Sequence, residues 1–346
     1  MGNSSSSLSD SLEATAQVST HAAEGSVAFS AAPAGRMVRE NFTPMTGNEP
    51  QGAWSGPPGE RFALPTKDGK EIAAMFVDAR TGLEAADPPP AGVILFHGNG
   101  MTLEDMGGFA AEYRAASVSS LCITLRGYGG AEFGEGSVAD DGERGMYLDA
   151  AIAVDLMLVQ GFVPERLAAH GFSLGGSMAA AAACHHKLGG LVLDHTFTSA
   201  RAETAHVAKE LVGAQLPAIK WIPDFILRGV GRAGFQPGLE VDLGRGGVVR
   251  TDGLAAVDKL RSFGGKLVII YGEADHMMPN SFADDFEAAY AGEVVRIAIP
   301  GGGHDAGWLR SHEAVQKLRS GLASVLGGRR AAAWRGPVGT IGGAGS

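Results

Sequence analysis

The chain has 346 residues, of which 45% are hydrophobic, and a formal net charge of -10 at neutral pH. Length and apolar content suffice for one large α/β core, while the acidic balance and the lack of a basic stripe exclude nucleic acid as a partner. No run approaches the roughly eighteen apolar residues of a membrane span.

Taken in order, residues 1–58 are rich in Ser, Ala, Gly and Pro with little periodic apolar pattern. Such a segment buries too little surface to offset its ordering entropy, which predicts disorder. It has no basic and apolar leader of the secretory kind. Met1-Gly2-Asn3-Ser4-Ser5-Ser6 fits the N-myristoylation pattern, and a merely Ser-rich start in a cell lacking the transferase fits it equally. An acyl chain on Gly2 would give only marginal, reversible membrane contact. The expected domain runs from 59 to 326. Arg61–Pro65 and Glu71–Val77, joined by a Gly-containing turn, read as a hairpin. Ala91–Phe96 and Ser119–Leu125 are apolar runs of the kind found in parallel strands covered on both faces. Leu103–Ala116 and Asp140–Gln160 read as helices, the second with Leu148, Ile152, Leu156 and Val159 at helical spacing. Arg166–His170 is a short strand and Leu174–His186 an Ala-rich helix. Leu191–Asp194, Lys266–Tyr271 and Val294–Ile299 supply three more strands. The fold class is therefore α/β, a mostly parallel sheet with helices on both faces, whose ligands bind at the carboxyl ends of the strands. Residues 200–250 interrupt the rhythm and read as a helical cap over the site, with Leu216, Trp221, Ile222, Phe225, Ile226 and Leu227 predicting an apolar acyl pocket. Residues 327–346, Gly-rich and basic, read as a disordered tail. Cys122 and Cys184 fall inside a predicted strand and helix, which suggests buried thiols in a reducing, cytoplasmic compartment.

The chemistry gathers at strand ends. Gly171-Phe-Ser173-Leu-Gly175 is a G-x-S-x-G nucleophile elbow with a strand before it and a helix after it. A serine hydroxyl is a weak nucleophile, so it needs a histidine base and a carboxylate to orient that base. Asp275 lies just past one buried strand and His304 on a Gly-rich loop past the next, in the chain order Ser173, Asp275, His304. Asp194, at the end of another strand, is the rival acid, with a structural role as acceptor of backbone N–H bonds as its other reading. Oxyanion donors are expected from the backbone N–H groups of Asn99, in Phe96-His-Gly-Asn-Gly100, and Leu174. His97 reads as structural, holding that loop. Arg126-Gly-Tyr-Gly129 reads as turns shaping the pocket floor, with an interaction role for Tyr128 alone. His185-His186 reads as a solvated helix end, because no third metal ligand sits at a usable spacing. Gly229-Val-Gly-Arg-Ala-Gly234 matches a dinucleotide fingerprint by letter but lacks the strand–turn–helix around it.

These F-H-G-N-G, L-R-G-Y-G, G-F-S-L-G-G, G-E-A-D-H-M-M-P and G-G-G-H stretches, in this order over roughly residues 59–326, resemble those of the α/β-hydrolase superfamily of serine hydrolases. They look like small intracellular esterases, α/β-hydrolase-domain depalmitoylases and prolyl-peptidase-like hydrolases. The depalmitoylases carry an N-terminal cysteine cluster, and this chain has no cysteine before Cys122. The resemblance implies hydrolysis of an ester, thioester or amide through an acyl-enzyme, without cofactor or metal, on a small-molecule or lipid-like acyl substrate or an acylated protein. A peptidase of prolyl-peptidase type and an inactive hydrolase fold used for binding are the alternatives.

Overall fold

The computed structural model describes residues 53–80, 90–128, 138–212 and 238–327. The acylation pattern at Gly2, the apolar cluster from Leu216 to Leu227, the Gly229–Gly234 stretch and nearly all of the expected tail lie outside the described residues.

The centre of the molecule is a sheet of eight strands in the order β1-β2-β4-β3-β5-β6-β9-β10. Its strands are β1 (Glu60–Pro65), β2 (Glu71–Val77), β3 (Gly92–Phe96), β4 (Ser119–Ile123), β5 (Leu167–Phe172), β6 (Gly190–Asp194), β9 (Lys266–Gly272) and β10 (Val294–Ile299). The β1–β2 hairpin is antiparallel and joins β4 antiparallel, and every pair from β4 to β10 is parallel. Residues of β3 through β6 are buried throughout, as expected of strands covered on both faces; β3 is an unbroken apolar run, whereas β4, β5 and β6 also bury Ser119 and Ser120, His170 and Asp194. Alternate residues of β3 feed separate cores: Ile94 and Phe96 join one, and Val93 and Leu95 the other.

Helices α2 (Val138–Val159) and α3 (Gly175–His185) pack into the first of these cores, and α1 (Gly107–Ala115) into the second. The expected helix from Leu103 opens instead as a 3-10 turn, Leu103–Met106, before α1 begins. A reciprocal capping box between Thr102 and Asp105 tightens that turn, with the Thr102 N–H donating to Asp105 Oδ2 at 2.8 Å. Helix α2 carries Leu148, Ile152 and Leu156 on its buried face and is broken near its start at Gly142, φ 49°.

After β6, helix α4 (Ala200–Val207) leads into the insertion, and the chain returns as a small antiparallel hairpin, β7 (Glu240–Asp242) and β8 (Val248–Arg250). The hairpin turn packs on His186, beyond the far end of α3 from Ser173. His186 is therefore buried, at 7% exposure, and the expected solvated helix end is corrected: Gly246 lies against its ring. Glu143 of α2 clips the end of the insertion, its two carboxyl oxygens accepting the N–H groups of Asp252, Gly253 and Leu254. Helices α5 (Ala256–Leu260) and α6 (Asn280–Ala289) then flank β9, and α7 (His312–Gly321) and α8 (Ala323–Leu326) close the domain. Cys122 is buried as expected, whereas Cys184 is half-buried.

Three segments far apart in sequence meet at Arg126. Its guanidinium donates to Asp149 Oδ1 of α2 at 2.7 Å and to Asp68 Oδ2 of the first hairpin at 2.6 Å. Its own backbone N–H reaches Asp149 Oδ2 at 2.8 Å. Arg126 is 4% exposed and Asp149 0%, so these charges are worth keeping only as a pair. Substituting Arg126→Gln strands the Asp149 carboxylate in the core and is expected to cost about 3–5 kcal/mol, read as a lowered urea midpoint. A change below about 1 kcal/mol would show that water reaches Asp149 and relieves the loss.

Candidate active site

Ser173 sits between β5 and α3 with φ 52°, a left-handed backbone that costs a residue bearing a side chain roughly 1–2 kcal/mol. The conformation persists because its neighbours leave no alternative. A Cβ on Gly171 would meet the carbonyl oxygen of Gly175 at 2.1 Å, and one on Gly175 would meet that of Phe96 at 2.2 Å. The Ser173 N–H donates to the Asp194 carbonyl at 2.8 Å, and the Thr196 hydroxyl donates to the Ser173 carbonyl at 2.5 Å. Strand β6 and its exit thus hold the serine from both backbone sides.

The strand ends bring all three expected side chains together. His304 Nε2 lies 3.0 Å from Ser173 Oγ, and His304 Nδ1 lies 2.8 Å from Asp275 Oδ2. The other carboxyl oxygen of Asp275 accepts the N–H groups of Met277 and Met278, each at 2.9 Å. Burial works against the Asp275 charge, but the bonds from His304 and Met278 outweigh it and hold the carboxyl below its ordinary range. An ionised Asp275 makes Nδ1 the N–H donor of His304, which leaves Nε2 free to accept from the serine hydroxyl.

The loop after β3 stands beside the serine: a Cβ on Gly98 would come within 3.1 Å of Ser173 Cβ. His97 fixes this loop as anticipated, with Nδ1 donating to the Gly98 carbonyl at 2.7 Å and Nε2 accepting the Leu125 N–H at 2.9 Å. Burial lowers its pKa to about 4, so the ring is neutral near pH 7 and serves both bonds. Tyr128 donates its hydroxyl to Asn99 Oδ1 at 2.8 Å, but the interaction role expected of it alone in its stretch is shared: Arg126 pairs with Asp149 and Asp68. Leu174 follows the serine as the buried first residue of the α3 turn. Leu174 thus adjoins Ser173 in the chain, and Asn99 follows Gly98 in the loop that stands beside it.

Asp194 does not reach His304 in place of Asp275. It lies under the site, and its partners are rings where backbone N–H groups were expected. Trp308 Nε1 donates to Oδ2 at 2.7 Å, His170 Nε2 lies 3.1 Å from the same oxygen, and His195 Nδ1 lies 2.6 Å from Oδ1. His195 and Trp308 escaped the sequence reading, although an Asp-His doublet at a strand end is a signal. Glu203 of α4 escaped it as well. It is 5% exposed, and among the described residues one carboxyl oxygen lacks a hydrogen-bond partner. Nearby, His206 Nε2 donates to the His276 carbonyl at 2.7 Å and ties α4 to the Asp275 loop.

A parallel sheet of this order with a serine, an imidazole and a carboxylate in line at its strand ends defines the class of α/β hydrolases. The family profile described as the alpha/beta hydrolase family matches residues 93–317, and the chain belongs to that family. Among curated proteins, it is 30% identical over 147 residues to a multifunctional-autoprocessing repeats-in-toxin of Vibrio cholerae, spanning 39% of this chain and 3% of the toxin's length. It is 24% identical over 265 residues to uncharacterized protein Rv2307c of Mycobacterium tuberculosis, covering 76% of this chain and 79% of that protein. Among solved structures, the Pyrococcus furiosus esterase Pf2001 superposes with a TM-score of 0.57 at 15% identity, over 81% of this chain and 98% of the esterase. Acetyl xylan esterase 1 of Thermoanaerobacterium sp. JW/SL YS485 superposes with a TM-score of 0.53 at 14% identity, over 90% and 93% of the two chains. At these identities the likeness is one of fold.

Burial, joined by the nearby Asp275 charge, pushes the Glu203 carboxyl up from its ordinary 4.5 to about 8. The folded state then holds this proton more tightly than the unfolded chain does. Its contribution to stability is complete below about pH 4.5 and is lost as pH rises through about 8. Urea midpoints measured across that window should fall with pH in the parent. In Glu203→Gln they should fall less steeply, the difference being at most about 1.4 kcal/mol per pH unit. Equal slopes in the two proteins would contradict the buried, protonated carboxyl.

Proposed function

We propose that the protein is a serine hydrolase that cleaves a carboxylic ester or thioester through an acyl-enzyme on Ser173. The observation that carries the reading is His304, placed 3.0 Å from the serine hydroxyl and 2.8 Å from the Asp275 carboxylate. In this mechanism His304 Nε2 takes the Ser173 proton as Oγ attacks the acyl carbon, and Asp275 keeps the ring in the right tautomer and stabilises the imidazolium. The backbone N–H groups of Asn99 and Leu174 receive the oxyanion, aided by the positive end of the α3 dipole. His304 then passes its proton to the departing alcohol or thiol, and water, deprotonated by the same ring, releases the acid. Each step uses only side chains and backbone of this chain.

Residues 59–326 are the catalytic domain in this reading, with residues 1–58 and 327–346 as its tails and residues 200–250 as an insertion whose part before the β7–β8 hairpin selects the acyl group, the hairpin itself lying away from Ser173. The preference for short to medium apolar acyl chains rests on the apolar residues between Leu216 and Leu227. Among the described residues no helix is long and apolar enough to cross a membrane.

A fluorophosphonate probe should label the protein at Ser173 and aryl esters of graded chain length should be turned over. Ser173→Ala should abolish both, and undiminished labelling of that variant would sink the reading. Asp275→Asn should keep its fold by circular dichroism and lose on the order of 10⁴-fold in turnover. A panel of peptide and ester substrates distinguishes esterase from peptidase action, and turnover of prolyl peptides alone would redirect the assignment.

A further inference from the structure

The mechanism above uses one acid–imidazole pair, and the structure holds a second beside it. Asp194 is 0% exposed and His195 2%. Their contact, Asp194 Oδ1 to His195 Nδ1, is 2.6 Å, shorter even than the roughly 2.7–2.9 Å of a charge-assisted N–H···O bond. His195 occupies a left-handed backbone, φ 46°, a strained state for an imidazole-bearing residue, and its N–H is fastened to the Ile270 carbonyl at 2.8 Å. Its ring meets that of His304 edge to face, with centroids 6.1 Å apart and planes at 78°. Phe172 leans on both imidazoles, 5.8 Å from His195 and 5.4 Å from His304.

Asp194 Oδ2 takes two further ring partners. Trp308 is a neutral donor. His170 Nε2 lies 3.1 Å away, and its Nδ1 faces the Tyr113 hydroxyl at 2.9 Å. A fully buried carboxylate demands a countercharge, and His195 makes the shorter of its two imidazole contacts, 2.6 Å. Among the described residues the Nε2 of His195 is buried without a hydrogen-bond partner, which works with burial against the cation. The charges around it then decide. Asp194 lies on its own strand end, Asp275 beyond β9, and Asp305 beside His304 beyond β10; Glu203 of α4 bears on Asp275. Burial alone would drive the His195 proton off, but Asp194 first, then Asp275 and Asp305, outweigh it and raise its affinity for the proton.

We propose that His195 is a positioning residue that serves as a fixed cation: held by Asp194 against the edge of the His304 ring, it biases His304 toward its neutral, proton-accepting form. This rests on the reading of Ser173 and His304 as nucleophile and base. A like charge about 6 Å away disfavours a second imidazolium, so His304 stays a competent base to lower pH than it would alone. Asp275 still stabilises the imidazolium formed during the reaction, because it bonds that ring directly.

The test has two arms on the full chain. His195→Gln keeps an amide able to donate to Asp194 and removes the cation. The acid limb of its kcat/KM profile on an aryl ester should move up by about one pH unit, so that activity falls roughly tenfold on the acid side, with the plateau at higher pH kept within a few fold. An acid limb that stays in place or moves down overturns the inference. The second arm needs no variant and no activity. In parent protein carrying ¹⁵N-histidine, both ring nitrogens of His195 should keep imidazolium shifts through the pH range in which His304 titrates. A neutral His195 at pH 7 overturns the inference even if His195→Gln fails to fold. Ester turnover that survives Ser173→Ala would instead overturn the serine mechanism, leaving the nitrogen shifts to report on His195 separately.

Discussion

The left-handed backbone at Ser173, φ 52°, is the constraint on which the site depends. It lifts the hydroxyl out of the turn between β5 and α3, and the strain must be held by contacts around it. Those contacts are backbone against backbone at Gly171 and Gly175 and backbone against side chain at Gly176. Gly171 closes on Gly175, Gly175 on the carbonyl of Phe96, and a Cβ on Gly176 would strike Thr196 Oγ1 at 2.2 Å. Adding a methyl group at any of these points forces strands or helix apart, so the elbow is held by close packing as much as by its hydrogen bonds.

Asp275 and His304 inherit their positions from the parallel pairing of β9 with β10. Gly272 pairs with Ile299, which brings the two outgoing loops level. The loops are then sewn together, with the Glu273 N–H donating to the Ile299 carbonyl at 3.1 Å and the Ala274 N–H to the Gly302 carbonyl at 2.9 Å. A Cβ on Gly272 would meet the Gly302 carbonyl at 2.3 Å. Asp275 and His304 therefore move as one unit relative to the serine, and the serine is pinned to β6 by its own N–H. Trp308, four residues past His304 in the same loop, carries that unit back to Asp194 and closes the ring of contacts.

Buried charge surrounds this core in three separate devices. Arg126 with Asp149 and Asp68 fixes the loop that carries Tyr128, and Tyr128 holds Asn99. Glu143 clips the end of the insertion, whose Leu254 carbonyl receives the Ser177 hydroxyl of α3 at 3.0 Å. Asp194 gathers His170, His195 and Trp308 beneath the serine. Each joins segments distant in the chain, where apolar contact alone would leave register and rotation less defined. Their cost in desolvation is offset only because every carboxylate meets donors in good geometry.

The amino-acid sequence by itself determined the strands, the elbow and the three side chains in line. Short, largely apolar runs place β3 to β6 inside the sheet, a G-x-S-x-G stretch between strand and helix leaves one sharp turn, and strand-end loops have only one end of a parallel sheet to occupy. Period and spacing carry that information locally. The partners of a buried charge are not local: Asp194 meets Trp308 across 114 positions of the chain and Arg126 meets Asp149 across 23. That three rings, where backbone N–H groups were expected, occupy Asp194 is likewise absent from any local pattern. The burial of His186 followed from where the β7–β8 turn landed, and that of Glu203 from the docking of α4 on the Asp275 loop. Only the tertiary structure decided these, because desolvation and ion pairing depend on which segments pack together, and the pattern within any one segment does not encode its neighbours in space.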